Sequence, residues 1–285
     1  MSWKSVKNFL ILLLVAVNIL LAFFAYNYYI NSTFTDSATA ERASTALAKG
    51  GLNVPSDMLS VKNDNAETLY TTHNREDYVC LAASILFGKE ADGIYMLPNG
   101  VRAETLEGET ALIGYDMSIE FTAADKKDSV SNALKTLTET SGEATVTART
   151  ALESKLALPA GSIKERDCKA GGSYIFVTLS QAENGLELYG MNCVFGLEGD
   201  RIVYADGKYF FEVPEGGESA QLLDRVNILF SEKERGVTGT LTDIELCYTL
   251  YEEADSGRML FVPSYALTYA DGTMHAVNAI SKKLY

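Results

Sequence analysis

Glycine-bearing turn pairs at close intervals restrict this chain more than any other feature. Asn184-Gly185, Gly199-Asp200 and Asp206-Gly207 punctuate the segments SYIFVTLSQ, GLELYGMNCVFGL, RIVYA and KYFFEV. Such pairs accept positive φ and favour tight hairpins, so the stretch reads as an antiparallel meander. GIYML and VRAETL flank Pro98-Asn99-Gly100 in the same way, and ALIGYDMSIEF follows as another strand. Further on, Ile244, Leu246, Tyr248 and Leu250 alternate with Asp243, Glu245 and Thr249, the period of a strand with one wet face. RMLFVPSYALTYA and TMHAVNAI then pair across Asp271-Gly272.

Helical periods interrupt these strands. Asp36 caps a helix running to about residue 48 with Ala40, Ala43 and Leu47 on one face; Gly50-Gly51 ends it and Pro55 seals the stop. AETLYTT reads as a strand, whereas DYVCLAASILF fits either a helix closed by Gly88 or a strand. A helix over 124–140 places Val130, Ala133, Leu134 and Leu137 on one face, and another over 219–233 carries Leu222, Leu223, Val226, Leu229 and Phe230. ATVTARTALESKLAL is ambiguous. Both halves set a helix before a run of strands. The fold class is therefore α+β, with two similar helix-plus-antiparallel-sheet halves, 36–158 and 159–285, divided at Pro159-Ala160-Gly161.

Ahead of these halves, positions 9–25 are apolar except for Asn18, and Tyr26, Tyr28, Tyr29 and Ile30 follow. A helix over 9–30 would reach about 33 Å, against a hydrocarbon core of about 30 Å. The expectation is a single N-terminal transmembrane helix acting as a signal anchor, with a cytoplasmic tail over 1–8 and a linker over 31–35. A cleaved signal peptide, with an apolar core of about 7 to 15 residues and a small-x-small site, fits less well because bulky rings stand at Phe23 and Phe24. Lys4 and Lys7 hold the N-terminus on the cytoplasmic side, which puts the rest of the chain outside the cell. Trp3, Lys4 and Lys7 at one interface and Tyr26, Tyr28 and Tyr29 at the other are placed as anchors in the lipid bilayer. Asn18, polar at mid-membrane, is a candidate contact for a partner helix.

The charge of −14 carries no basic cluster to offset it, which excludes a phosphate-backbone partner and so nucleic acid. Four scattered cysteines without a C-x-x-C pair are not a disulfide framework. Cys193 and Cys247 sit in strands, where a thiol packs as a small hydrophobe. The two histidines, His73 and His275, lack ligand-spaced neighbours, so no metal is expected, and His275 reads as a strand-surface position. Nucleophile elbow, phosphate loop and dinucleotide fingerprint are all missing, and carboxylate pairs such as Asp125 with Asp128 arise by chance among 38 acidic residues. The expectation is a binding or regulatory module with no catalytic residues and no cofactor.

Two segments carry a resemblance. SWKSVKNFLILLLVAVNILLAFF, with Trp3, a short basic stretch and an apolar run containing Asn18, resembles the opening of YycI regulatory proteins. TGTLTDIELCYTLYEEADSGRMLFVPSYALTYADGTMHAVNA is similar to the closing element of YycI and YycH ectodomains and of PepSY-like proteins: Tyr248 in one strand, Pro263 and Tyr265 in the next, an Asp271-Gly272 turn and Asn278 near the end. Pro263-Ser264-Tyr265 stands where the family usually has Pro-x-Trp. The resemblance implies a non-catalytic accessory regulator of a sensor histidine kinase in a cell-wall-controlling two-component system of Gram-positive bacteria. It would act with a YycH-like companion protein through membrane-helix and ectodomain contacts. An anchored PepSY-like inhibitor or chaperone of secreted proteases is the alternative, and a cell-wall enzyme a more distant one.

Overall fold

The computed structural model describes residues 13–15, 17–21, 36–60, 66–156, 163–212, 214–220, 222–252 and 258–280. In chain order the helices are α1 (Ser37–Ala48), α2 (Ser56–Leu59), α3 (Arg75–Phe87), α4 (Lys127–Leu134), α5 (Gly142–Lys155) and α6 (Arg225–Glu234). The strands are β1 (Leu52–Asn53), β2 (Ala66–Asn74), β3 (Gly93–Leu97), β4 (Gly100–Glu104), β5 (Thr110–Gly114), β6 (Ser118–Thr122), β7 (Thr138–Glu139) and β8 (Ile163–Gly171). They continue with β9 (Tyr174–Glu183), β10 (Leu186–Glu198), β11 (Arg201–Lys208), β12 (Glu215–Ala220), β13 (Gly239–Glu252), β14 (Arg258–Tyr269) and β15 (Met274–Asn278). The class is α+β. One compact unit comprises Met1–Ala66, Ala220–Glu245 and Ala266–Tyr285; the other comprises Glu67–Ser219 and Leu246–Tyr265.

In the first unit, α1 begins where Asp36 accepts a hydrogen bond from the Thr39 amide at 2.7 Å and buries Ala40, Ala43 and Leu47. It packs against α2 and α6. Lys233 of α6 donates to the Ala46 carbonyl at 2.8 Å, and Arg225 donates to the Met58 carbonyl at 3.0 Å, so two long basic side chains satisfy otherwise open carbonyls. β1 pairs parallel with the start of β13, and β15 pairs with β14 across the Asp271-Gly272 turn.

The second unit is built on a run of nine antiparallel strands in the order β7-β8-β9-β10-β11-β6-β5-β4-β3, and β10 also pairs in parallel with β13 at Leu188 and Tyr248, which makes the sheet mixed. The turn pairs dictate its neighbours. Asn184 and Gly185 both have positive φ, 49° and 81°, the primed turn that joins β9 to β10. Helix α3, capped by Asn74 at its start and by left-handed Gly88 at its end, crosses β5 and β11 on one face of the sheet. There Tyr78, Ala82 and Leu86 meet Ala111, Ile113 and Phe121 in a single apolar cluster. Tyr78 stacks on Phe210 at 4.8 Å and donates its hydroxyl to the Tyr209 carbonyl at 2.9 Å. Cys168, Cys193 and Cys247 are buried, and all four cysteines are free thiols.

Several expectations are corrected. Among the described residues no helix is long and apolar enough to cross a membrane. The expected transmembrane signal anchor over 9–30 is therefore not supported; within that run residues 13–15 and 17–21 are described and helical. Trp3, Lys4, Lys7, Tyr26, Tyr28, Tyr29 and the 31–35 linker lie outside the described residues. The two similar halves divided at Pro159 give way to units of interleaved segments, because β11, from beyond that point, pairs with β6, from before it.

Locally, ALIGYDMSIEF is two strands, turned at Met117 with φ 65°. The helix expected over 124–140 starts with a 3₁₀ turn (Ala124–Lys126) and its α-helical part ends at Leu134. Thr136 turns its hydroxyl onto the Ala133 carbonyl and β-branched Thr138 pairs in β7, so local hydroxyl bonds and strand pairing outcompete continued helix. KYFFEV is not a strand: Lys208 ends β11, Gly207 lies inside β11, and Tyr209, Phe210 and Phe211 are all buried. The Phe210 amide donates to the Gln181 side chain at 3.2 Å, which replaces a strand partner and frees three successive rings to enter the core. The helix expected from 219 starts at Arg225, where Asp224 supplies the cap, because β12 takes the preceding residues.

Candidate functional site

Opposite α3, the part of the sheet formed by β4, β5, β6 and β11 presents an open face. Strand alternation puts Ala103, Ala111, Phe121 and Ala205 inside and Arg102, Leu112, Glu120 and Asp206 outside, in register across β4, β5, β6 and β11. The next row toward the turns reads Leu97, Gly100, Gly114, and after it Ser118 opposite Lys208. A Cβ at Gly100 would overlap the Ile113 carbonyl oxygen, so this position admits only glycine without movement of the neighbouring strand. Bare backbone at Gly100 and Gly114 lowers the floor, and a groove of about 500 Å³ results, walled by Leu97 and Leu112 on one side and Glu120 and Asp206 on the other.

Its electrostatics are uneven. Lys208 donates to Asp116 at 2.6 Å, and Ser118 donates to the same carboxylate through its hydroxyl at 2.6 Å. These bonds, Lys208 first, hold the Asp116 carboxyl down to about 2. The cation at the rim is thus engaged, and Arg102 is engaged with Glu104. Glu120 and Asp206 face each other directly across β6 and β11, an arrangement of like charges that opposes strand pairing. Among the described residues neither makes an ion pair; Asp206 accepts only a 3.3 Å bond from the Tyr204 hydroxyl. Burial, then Asp206, push that hydroxyl up to about 12. An apolar group carrying a positive charge would match this groove, its stem over Leu112 and its head at the two carboxylates.

The groove continues to an edge. Among the described residues β3 pairs with β4 alone, and Ile94, Tyr95, Met96 and Leu97 are 42%, 54%, 59% and 41% exposed. A strand with four consecutive exposed apolar residues and no charge lacks the devices that usually blunt a sheet edge.

In the first unit a second polar cluster surrounds Glu232 of α6, whose side chain is 0% exposed. One carboxylate oxygen lies 2.8 Å from His275 Nε2 and the other accepts from Arg235 at 2.6 Å. Burial would raise the Glu232 carboxyl, but the bonds and charges of His275 and Arg235 outweigh it and hold the group below its ordinary range. The His275 ring stacks on Tyr269 at 5.4 Å, and the buried Tyr269 hydroxyl is pushed up to about 12 by burial and by Glu232. His275 is therefore half-buried and paired, not the surface position its strand alternation implies. A glutamate 43 residues earlier gives no local signal of this partnership.

The other residues singled out in the sequence each have their own local contacts. Asn18 donates its amide to the Leu14 carbonyl at 2.9 Å within its own helix. In the second unit Tyr248 is buried with its ring edge-on to Phe261, and Pro263 and Tyr265 lie buried in β14. In the first unit Asp271 caps the turn by accepting from Thr273, Gly272 has φ 84°, and Asn278 accepts from the Ile280 amide at 2.6 Å. Each performs a folding task where it stands. The groove residues Leu112, Glu120 and Asp206 escaped the sequence reading, because strand register, not spacing along the chain, assembles them.

No protein-family model matches the chain, and no curated protein matches it. The YycI resemblance therefore rests on its two segments alone. Among solved structures, the chain is similar to an uncharacterized protein from Eubacterium rectale ATCC 33656, at 11% identity and a TM-score of 0.41, covering 82% of this chain and 90% of that one. It is also similar to the Bacillus megaterium YpeB C-terminal domain, at 10% identity and a TM-score of 0.33, covering 88% and 97%. Scores this low assign neither function nor a shared site.

Proposed function

We propose that the chain is a non-catalytic accessory regulator that works by binding a protein. Following the YycI resemblance, the partner is the sensor histidine kinase of a cell-wall-controlling two-component system, met outside the cytoplasm. The observation that supports this reading is the groove, where an unbalanced Glu120 and Asp206 pair stands beside apolar walls on the side of the sheet opposite α3. A rigid, concave and charge-biased surface of this kind selects a basic, apolar segment of a partner.

The test is co-purification of the chain with that kinase and measurement of kinase autophosphorylation with and without it. Capture and a changed rate are expected, and the double variant Glu120→Lys, Asp206→Lys reduces capture by about tenfold or more. Absence of capture together with an unchanged rate rejects the assignment.

A further inference from the structure

The helix side of β3 carries a separate feature. Ile94 is in register with Ala103 and Ala111 and Met96 with Val101 and Ile113, the rows that elsewhere in the sheet lie under α3. At the edge that cover is incomplete. A groove of about 610 Å³ remains between the exposed side of α3, with Cys80, Leu81 and Ser84, and the start of β3, with Ile94 in the strand and Ala91 just before it. Asp77 and Glu90 stand at its margin. Asp77 accepts from the Asn74 amide at 2.9 Å, and neither acid makes an ion pair among the described residues. Lys89, next to Glu90 in sequence, is paired with Glu107.

We propose that β3 is a docking strand: an extended, basic segment of a partner polypeptide adds to it as a further antiparallel strand. Alternate main-chain N–H and C=O groups of β3 point away from β4 and supply the ladder. An added strand sends alternate side chains to opposite faces. Apolar residues on the helix side enter the groove against Leu81, Ala91 and Ile94; residues on the other side lie along Tyr95 and Leu97. Lysine or arginine at the ends of the segment meets Asp77 and Glu90. A second copy of this chain is the wrong occupant, because self-pairing of β3 would bring two such acidic margins together on molecules of charge −14. The proposal rests on the reading of the chain as a protein-binding module and goes beyond it in naming the surface, the mode and the chemistry of the segment.

A fluorescent peptide of about ten residues, with valine alternating with threonine in the middle and lysine at both ends, is titrated into the 285-residue chain by anisotropy. Saturable binding is expected, with slowed maleimide labelling of Cys80, the one exposed cysteine. Met96→Lys, at a position already exposed, weakens binding about tenfold, and so does Glu90→Lys, which in turn improves binding of the glutamate counterpart peptide. Circular dichroism confirms that both variants fold. The double variant Glu120→Lys, Asp206→Lys leaves the peptide affinity unchanged, which separates this proposal from the open-face reading. Absence of binding, equal affinity of the Met96→Lys variant, unchanged Cys80 labelling, or a dimer that Met96→Lys dissolves would each overturn it.

Discussion

Replacing His275 with alanine strips the buried Glu232 carboxylate of one of its two partners and leaves Arg235, itself partly exposed, to hold the charge. A hydrogen bond to a charged group contributes about 1.5–3 kcal/mol and an aromatic pair about 0.5–1.5 kcal/mol. Because His275 is 29% exposed, water replaces part of what is lost and the lower ends apply, so the cost is about 2 kcal/mol. That corresponds to roughly 4–8 °C in Tm. Urea denaturation followed by circular dichroism measures it, and the double-mutant cycle with Glu232→Gln isolates the coupling.

The pH dependence has a definite sign. Glu232 is held below its ordinary value of 4.5, so its contribution is complete above that pH and is lost as pH falls through the lower folded-state value. The deficit of Glu232→Gln is therefore full at neutral pH and shrinks in acid below about 4.5. A cost for His275→Ala below about 0.5 kcal/mol, the range of an ordinary surface substitution, or a Glu232→Gln deficit that does not change in acid, refutes the reasoning.

Three further outcomes are expected from the second unit. Gly100→Ala forces β4 and β5 apart where the new Cβ meets the Ile113 carbonyl, at about 1–3 kcal/mol by denaturant titration. Tyr78→Phe leaves the buried Tyr209 carbonyl without its 2.9 Å donor and costs about 1–2 kcal/mol by the same measurement. Asp116→Asn loses the Lys208 pair, but both groups are well exposed, so the cost is below about 1 kcal/mol at neutral pH. With the Asp116 carboxyl held at about 2, that contribution is present above 3.8 and vanishes as pH falls through about 2, as acid titration of both proteins by urea melts would show.

Local features were legible where local forces decide. Asp36 and Gly88 mark helix ends because capping is an interaction among residues within a turn of one another. The Asn184-Gly185 and Asp271-Gly272 turns were readable because they depend on which residues tolerate positive φ. The 9–30 run was read as a membrane span from apolar content alone, and among the described residues no helix is long and apolar enough to cross a membrane. KYFFEV misled because a buried glutamine, distant in sequence, supplies the hydrogen bond that a strand partner would otherwise give.

From its sequence alone, then, the chain is an acidic α+β protein with antiparallel hairpins and capped helices, since charge, periodicity and turn chemistry are properties of short segments. The pairing of β6 with β11, the partnership of Glu232 with His275, the groove floor at Gly100 and Gly114, and the uncovered edge at β3 were decided only by tertiary structure. Each depends on which distant strands come into register. That choice is made by the packing of the whole core, where many alternative pairings share the same local pattern.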